Sequence, residues 1–220
     1  MRKLLSILFV FLCMNVHAQE NLVLNGSFEQ WSSCPGSGES FTQAVDYWQS
    51  GHEQDSPDYF NQCSALPALN VPDNWRGWQT PFDGDSYAGI WVFSLQHPER
   101  GREYIQTELS QPLYLGLRYE VSFRVCLAEH YGGYAVSTLG ATLSTNSLDT
   151  TVGGWRLNAE PQILNEPLIP IVDTASWVLV IDTVVSRDGG ERFLTIGNFS
   201  SDAESDTTLF NPNAQSWRVS

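Results

Sequence analysis

The sequence predicts an all-β fold, a jelly-roll β-sandwich, and three observations carry that reading. Apolar and polar residues alternate with period two in segment after segment. Clusters of Gly, Pro, Asn and Asp separate those segments, and no stretch shows the 3.6-residue period of an amphipathic helix. Many short strands at such spacing are the pattern of a sandwich or jelly roll.

The clearest strand is 117–127, LRYEVSFRVCL. Leu117, Tyr119, Val121, Phe123, Val125 and Leu127 fall on one face, and Arg118, Glu120, Ser122, Arg124 and Cys126 on the other. One apolar and one polar face mark an antiparallel strand with a single buried side. Segment 87–93 is apolar on both faces, and 104–109 places Ile105 and Leu109 inward. Segment 139–143 is short, whereas 177–185 and 193–199 are long and rich in β-branched or aromatic residues. Turn chemistry links them at Tyr114-Leu115-Gly116, Gly132-Gly133, Gly153-Gly154 and Asp188-Gly189-Gly190. The exception is 32–83, long irregular loops rich in Trp, Tyr, Pro and Asp. Loops of that length in a compact domain either act in function or are disordered.

Residues 1–18 read as a secretory signal: Arg2 and Lys3, an apolar core from Leu4 to Met14, and a small-x-small site at Val16-His17-Ala18. That core is well short of the roughly twenty residues needed to cross a bilayer. Leu12 before Cys13 is too bulky for a lipoprotein site. The expectation is cleavage near Ala18-Gln19 and one β-sandwich domain over 19–220, secreted, periplasmic or associated with the outer membrane or cell surface. Removing Arg2 and Lys3 leaves nine basic residues against 25 acids, a net charge of −16. This balance argues against nucleic acid, which needs clustered cations, and against anionic membranes. A solvated acidic surface accounts for it, and calcium is the cation such a composition best tolerates.

Export also frames the cysteines. Cys34 and Cys63 lie in loop sequence, SSCPGSG and FNQCSALP, while Cys126 sits within a strand. An oxidising compartment favours a Cys34–Cys63 disulfide with Cys126 left over; three free thiols are the alternative.

The opening of the exported chain, NLVLNGSFE at 21–29, combines a short apolar strand, an Asn-Gly turn, an aromatic and a carboxylate. Together with REYIQTEL, LRYEVSFRV and RFLTIGNF, it resembles the galactose-binding-like jelly roll, especially carbohydrate-binding modules of the cellulose- and xylan-binding type. PDYFNQC (57–63), VPDNWRGWQ (71–79), GDSYAGI (84–90) and LTIGNF (194–199) look like an N-terminal sandwich domain of exported bacterial envelope proteins. Such domains often precede an OmpA-like or gliding-type sorting domain. The resemblance spans nearly the whole exported chain. It implies that Glu29 ligates a structural calcium, with Asp85 a weaker second ligand by position. It also implies a closing strand reading like YYIDDVSV. Here the sequence reads AQSWRVS to Ser220, so the last strand is either degenerate or missing, with a C-terminal domain absent from this chain.

Aromatic residues crowd the loops: Trp31, Tyr47, Trp48, Tyr59, Trp75 and Trp78. Sugar rings present apolar C–H faces, so exposed aromatics beside Asp73, Asn74, Arg76 and Gln79 suit glycan contact. Capping the core ends is the competing role for the same side chains. The polar strand face, Arg118, Glu120, Ser122 and Arg124, is a second platform, equally explained by cross-strand ion pairing. His52, Glu53 and Asp55 are too close in sequence to project to one point, and His97 and His130 are isolated. No HExxH or GxSxG motif accompanies them. Asn25-Gly26-Ser27 and Asn198-Phe199-Ser200 match a glycosylation sequon within expected strands or turns. Asp173-Thr174-Ala175 and Asp182-Thr183-Val184 resemble an O-glycosylation motif of some gliding-type bacteria.

The sequence therefore predicts a non-catalytic module binding carbohydrate or a cell-surface polymer. The alternative is a structural or adhesion spacer of an envelope protein, and the third reading a small hydrolase.

Overall fold

The computed structural model of the protein describes residues 20–36, 41–52, 57–94, 101–130, 133–149, 156–165 and 169–210. The expected export signal at 1–18, Glu53, Asp55, His97, Gly132, the Gly153-Gly154 turn and segment 211–220 lie outside the described residues.

The described chain is nearly all β. In order, its strands are β1 (Trp48–Ser50), β2 (Asp58–Asn61), β3 (Asp73–Asn74), β4 (Gly77–Trp78), β5 (Ser86–Gly89), β6 (Ile105–Glu108) and β7 (Arg118–Val125). There follow β8 (Tyr134–Val136), β9 (Leu139–Ser144), β10 (Ile163–Leu164), β11 (Val178–Val185), β12 (Phe193–Asn198) and β13 (Thr207–Leu209). Among the described residues, helix is confined to α1 (Phe41–Ala44) and a 3-10 turn at Pro67–Leu69.

Five strands form the larger antiparallel sheet, in the order β1-β6-β12-β9-β10. Opposite it, β7 pairs antiparallel with β11 over eight positions, from Arg118↔Val185 to Val125↔Val178. Period two then decides what faces the core. Tyr119, Val121, Phe123 and Val125 of β7, with Val180 and Val184 of β11, pack against Ile105, Leu143, Leu194 and Ile196 of the larger sheet. The outer face carries Arg118, Glu120, Ser122 and Arg124, paired with Val185, Thr183, Ile181 and Leu179. Leu117, expected on the inner face, is instead 52% exposed. It belongs to the turn before β7, where its N–H donates to Tyr114 O.

The strands read from 87–93, 104–109, 117–127, 139–143, 177–185 and 193–199 correspond to β5, β6, β7, β9, β11 and β12, most of them trimmed at the ends. The opening motif differs more. Only Val23 pairs, in a single bridge to Leu109, and the chain then turns through Asn25 (φ 52°) and Phe28 (φ 63°). Buried Asn25 stabilises that turn: its Nδ2 donates to Gln30 O and Asp46 O, its Oδ1 accepts from Gln30 N–H, and its carbonyl accepts from Trp48 Nε1–H. Asn198 is fully buried and donates to Val92 O and Ser205 Oγ. Both sequon amides are therefore engaged inside the fold. Cys34 and Cys63 form the expected disulfide, with Cα atoms 5.9 Å apart, and Cys126 is free.

A second, smaller core surrounds Tyr104, which is fully buried with Leu157 and Phe199. Its hydroxyl donates to Asn198 O (2.6 Å) and accepts from Leu157 N–H (3.2 Å). The ring lies flat against the backbone: a Cβ at Gly197 would sit 2.2 Å from Tyr104 Cδ1, and one at Gly51 2.8 Å from its Cβ. Gly197→Ala therefore forces the ring or the β12 backbone to move. It should cost about 2–3 kcal/mol in urea denaturation, and an unchanged midpoint would show that the ring is not packed there.

Candidate functional site

The inner face of β7 does not close completely onto the larger sheet. Between them lies a cleft of about 1950 Å³, walled by β7, residues 86–93 and the N-terminal segment. Its floor is Ile105, Leu139, Leu143, Leu194 and Ile196.

One end of this cleft is built by the β3–β4 hairpin. Asp73 faces Trp78 and Asn74 faces Gly77, leaving Trp75 and Arg76 as the two turn residues. The Asn74 side chain sets the turn, accepting from Arg76 N–H and donating to Tyr87 Oη. The Arg76 guanidinium lies 4.2 Å from the Trp75 ring centroid and 3.9 Å from that of Trp91, and Nε donates to Asp58 Oδ2 at 2.9 Å. Burial pushes the Asp58 carboxyl above its ordinary range, against the pull of the same guanidinium. Arg76 thus holds two aromatic planes and a carboxylate together and is itself buried.

Trp78 follows with the opposite character. The residue is 58% exposed, yet its N–H donates to Glu129 Oε2 at 3.0 Å and anchors the backbone. Phe82, equally exposed, lies 4.0 Å from the Arg124 guanidinium carbon. Trp177 Nε1–H donates to Thr80 O, tying the loop below Phe82 to the start of β11. Trp78 and Phe82 therefore stand on a braced rim, with Asp83, Arg124 and Glu129 also lining the cleft there.

The sequence-predicted residues separate into three groups. Trp78 and Asp73 are exposed at the hairpin, and Trp75 is half-buried in the Arg76 stack. Trp48 and Tyr59 are core residues, 4% and 3% exposed, with polar tips bonded to Asn25 O and Phe28 O. Their part is the capping one, because the turn around Asn25 needs donors for its carbonyls. Trp31 and Tyr47 are exposed, on a different surface bearing α1 and β1. His52 is a core residue packed edge-on to Tyr104. Phe82, Trp91, Trp177 and Glu129 were not read as site residues. Phe82 had one signal, an aromatic beside the Asp83-Gly84-Asp85 turn, while Glu129 carried none.

Glu29 and Asp85 do come together, through the backbone. Glu29 Oε1 accepts from Asp85 N–H (2.9 Å) and Ser86 Oγ–H (2.5 Å). Gly84, at φ +65°, lets the turn approach so closely that a Cβ there would lie 2.3 Å from Glu29 Cδ. The carboxylate clamps the 84–86 turn to the N-terminal segment. Among the described residues no group of three or more His, Cys, Asp or Glu side chains is placed to hold a metal ion.

At the hairpin end of the cleft, burial pushes the Cys126 thiol up to about 12 from 9.0, with the Asp173 and Glu129 carboxylates adding to the rise. Burial likewise pushes Tyr87 up to about 12 from 10.0, against its hydrogen bond to Asn74. Comparisons with protein-family models, with curated proteins and with solved structures each return no match.

The folded chain thus holds both protons more tightly than the unfolded chain does. Their stabilisation is complete below pH 9 and is lost as pH rises from 9 towards 12. Cys126→Ala should raise the midpoint of alkaline unfolding. Melting temperatures from pH 8 to 11 that coincide for variant and wild type would show the thiol to be exposed.

Proposed function

We propose that this chain is a non-catalytic β-sandwich recognition module, of the jelly-roll type, that works outside the cytoplasm and binds carbohydrate or a cell-surface polymer through the rim of its cleft. One observation carries the reading: Trp78 presents a largely exposed ring on a backbone pinned by Glu129. A sugar's apolar face needs such a surface, and a fixed backbone beneath the ring reduces the entropy lost on contact. Phe82 extends the platform, and Asp73, Asp83 and Arg124 offer hydroxyl partners around it. The Cys34–Cys63 disulfide fits an oxidising compartment.

A second reading, a structural or adhesion spacer, is favoured by a different observation. Of the aromatics crowding the loops, Trp48 and Tyr59 are core and Trp75 is stacked on Arg76. That leaves a small platform at this end of the fold. A structural calcium belongs to either reading as a proposal at Glu29 and Asp85. Melting in calcium against chelator tests it: a raised melting temperature supports the ion, and coincident curves remove it.

A polysaccharide panel separates the two readings. On the recognition reading at least one polymer binds, and Trp78→Ala weakens it about tenfold or more, the 1–3 kcal/mol scale of a hot-spot aromatic, with melting unchanged. Binding to no polymer, or equal binding by the variant, leaves the spacer.

A further inference from the structure

We propose that the tip formed by the turns at 113–117 and 186–191 seats this protein on a neutral, zwitterionic lipid surface, dipping Tyr114, Leu115 and Leu117 into it. The inference is independent of the glycan reading, which concerns residues at the other end of β7.

The first ground is composition set against exposure. A turn that stands in water is ordinarily polar, yet the one entering β7 reads Leu113-Tyr114-Leu115-Gly116-Leu117. Only Leu113 is buried; Tyr114 is 62%, Leu115 67% and Leu117 52% exposed. Tyr114 and Leu115 are the two most exposed large apolar residues among the described residues. Val185, paired with Arg118, extends the apolar surface. A single exposed leucine is ordinary, but a contiguous exposed set marks a contact surface.

The second ground is that the turns are held out by their own backbone. Leu113 N–H donates to Glu191 O and Gly190 N–H to Leu113 O, both at 2.8 Å. Gly116 N–H donates to Ser186 O (2.8 Å) and Ser186 N–H to Leu117 O (3.1 Å). Tyr119 Oη accepts from Tyr114 N–H at 2.9 Å. Gly189, at φ +71°, brings the second turn against Leu115: a Cβ there would lie 3.1 Å from Leu115 Cβ. A Cβ on Gly116 would meet open space, and none of 114–117 lines the cleft. The apolar side chains therefore project from the fold on a braced support.

The occupant follows from shape and charge. Three side chains on a protruding turn offer only a fraction of the roughly 800 Å² per partner that a specific protein interface buries. A bilayer interface needs no matching shape, and Leu side chains with a Tyr at headgroup depth suit it. Arg118 and Arg187, both exposed, flank the tip, and such side chains lay their stems along an apolar boundary with the guanidinium among headgroups. The acids of the two turns are exposed Asp188 and buried Glu191, whose Oε2 accepts from Ser186 Oγ–H at 2.7 Å. The tip itself thus carries no excess of negative charge, while the acidic chain as a whole disfavours anionic lipid. Arg118 and Arg124, which stacks with Phe82, lie about 20 Å apart along β7. A seated tip therefore leaves the aromatic rim clear of the contact.

Co-sedimentation with phosphatidylcholine vesicles tests the proposal, on the chain from Gln19 to Ser220 so that the apolar 4–14 segment does not bind in its place. The expected result is binding that raised salt does not weaken. Leu115→Asp with Leu117→Asp should lower it about tenfold or more, with melting unchanged because both side chains are exposed. If that pair does not fold, Leu115→Ser gives the same comparison with a smaller loss. Ile169→Asp, at a separate exposed apolar residue, should leave binding unchanged. No binding to the neutral vesicles would overturn the proposal, as would equal binding by the tip variants. Binding that requires phosphatidylglycerol and disappears in salt would overturn it too, by assigning the contact to Arg118 and Arg187 alone. So would self-association without vesicles that the tip variants abolish, which would place a second copy on the tip.

Discussion

The inner face of β7 against the five-stranded sheet is the contact on which the rest of the molecule depends. Tyr119, Val121, Phe123 and Val125 are brought to the core by alternation alone, and eight pairs with β11 fix their register. A slip of one residue would put Arg118, Glu120, Ser122 and Arg124 there instead, burying charges without partners. That asymmetry is a stronger specification than strand propensity. It holds the two layers in one arrangement even though the β7–β11 layer is narrow and its apolar face incompletely covered. The small core around Tyr104 adds a second, local fix, because two glycines on neighbouring backbone leave room for one ring between them.

The region between Leu22 and Phe93 is stabilised differently. Its strands have two to four residues, too few for ladders to hold them, so side chains bond to backbone across the loops. Asn25 ties the backbone at Gln30 to that at Asp46 and accepts from the Trp48 indole, Tyr59 reaches Phe28 O, Glu29 holds the 84–86 turn, and Asn74 ties the β3–β4 hairpin to Tyr87. The disulfide closes the loop that runs through Trp48 and Tyr59, and the Arg76–Asp58 pair fastens the hairpin to β2. Several polar residues in these loops are spent on structure. The exposed aromatics are the exceptions, and their exposure is informative because nothing in the fold requires it.

This division explains what was legible in the sequence. β7, β11 and β12 were readable because period-two alternation and β-branched residues are local signals that the tertiary structure confirms. The disulfide was readable because Cys34 and Cys63 lay in loop sequence and Cys126 in a strand. The short strands β2, β3 and β4 were not, since each exists only through a partner distant in sequence or a side chain that sets a turn. For the same reason the loop aromatics could not be sorted in advance. Trp48 and Trp78 look alike in sequence, yet one has its indole N–H bonded to a buried carbonyl while the other has only its backbone tied. The opening motif reads as a strand by composition, but Asn25 and Phe28 at positive φ turn it after a single bridge.

The cleft and its rim are built differently. Trp177 bonded to Thr80, and Glu129 bonded to Trp78, brace the hairpin loops over one end of the β7–β11 layer. At that end Tyr87 and Cys126 are buried enough to hold their protons well above the usual range. Further along, the β7 inner face opens, and among the described residues β7 pairs only with β11. Trp78 and Phe82 stand on the braced end with their rings to solvent. A flat apolar ligand face meeting them would lie at the mouth of the groove. The acidic surface disfavours polyanions but leaves a neutral polymer free to approach the aromatic rim.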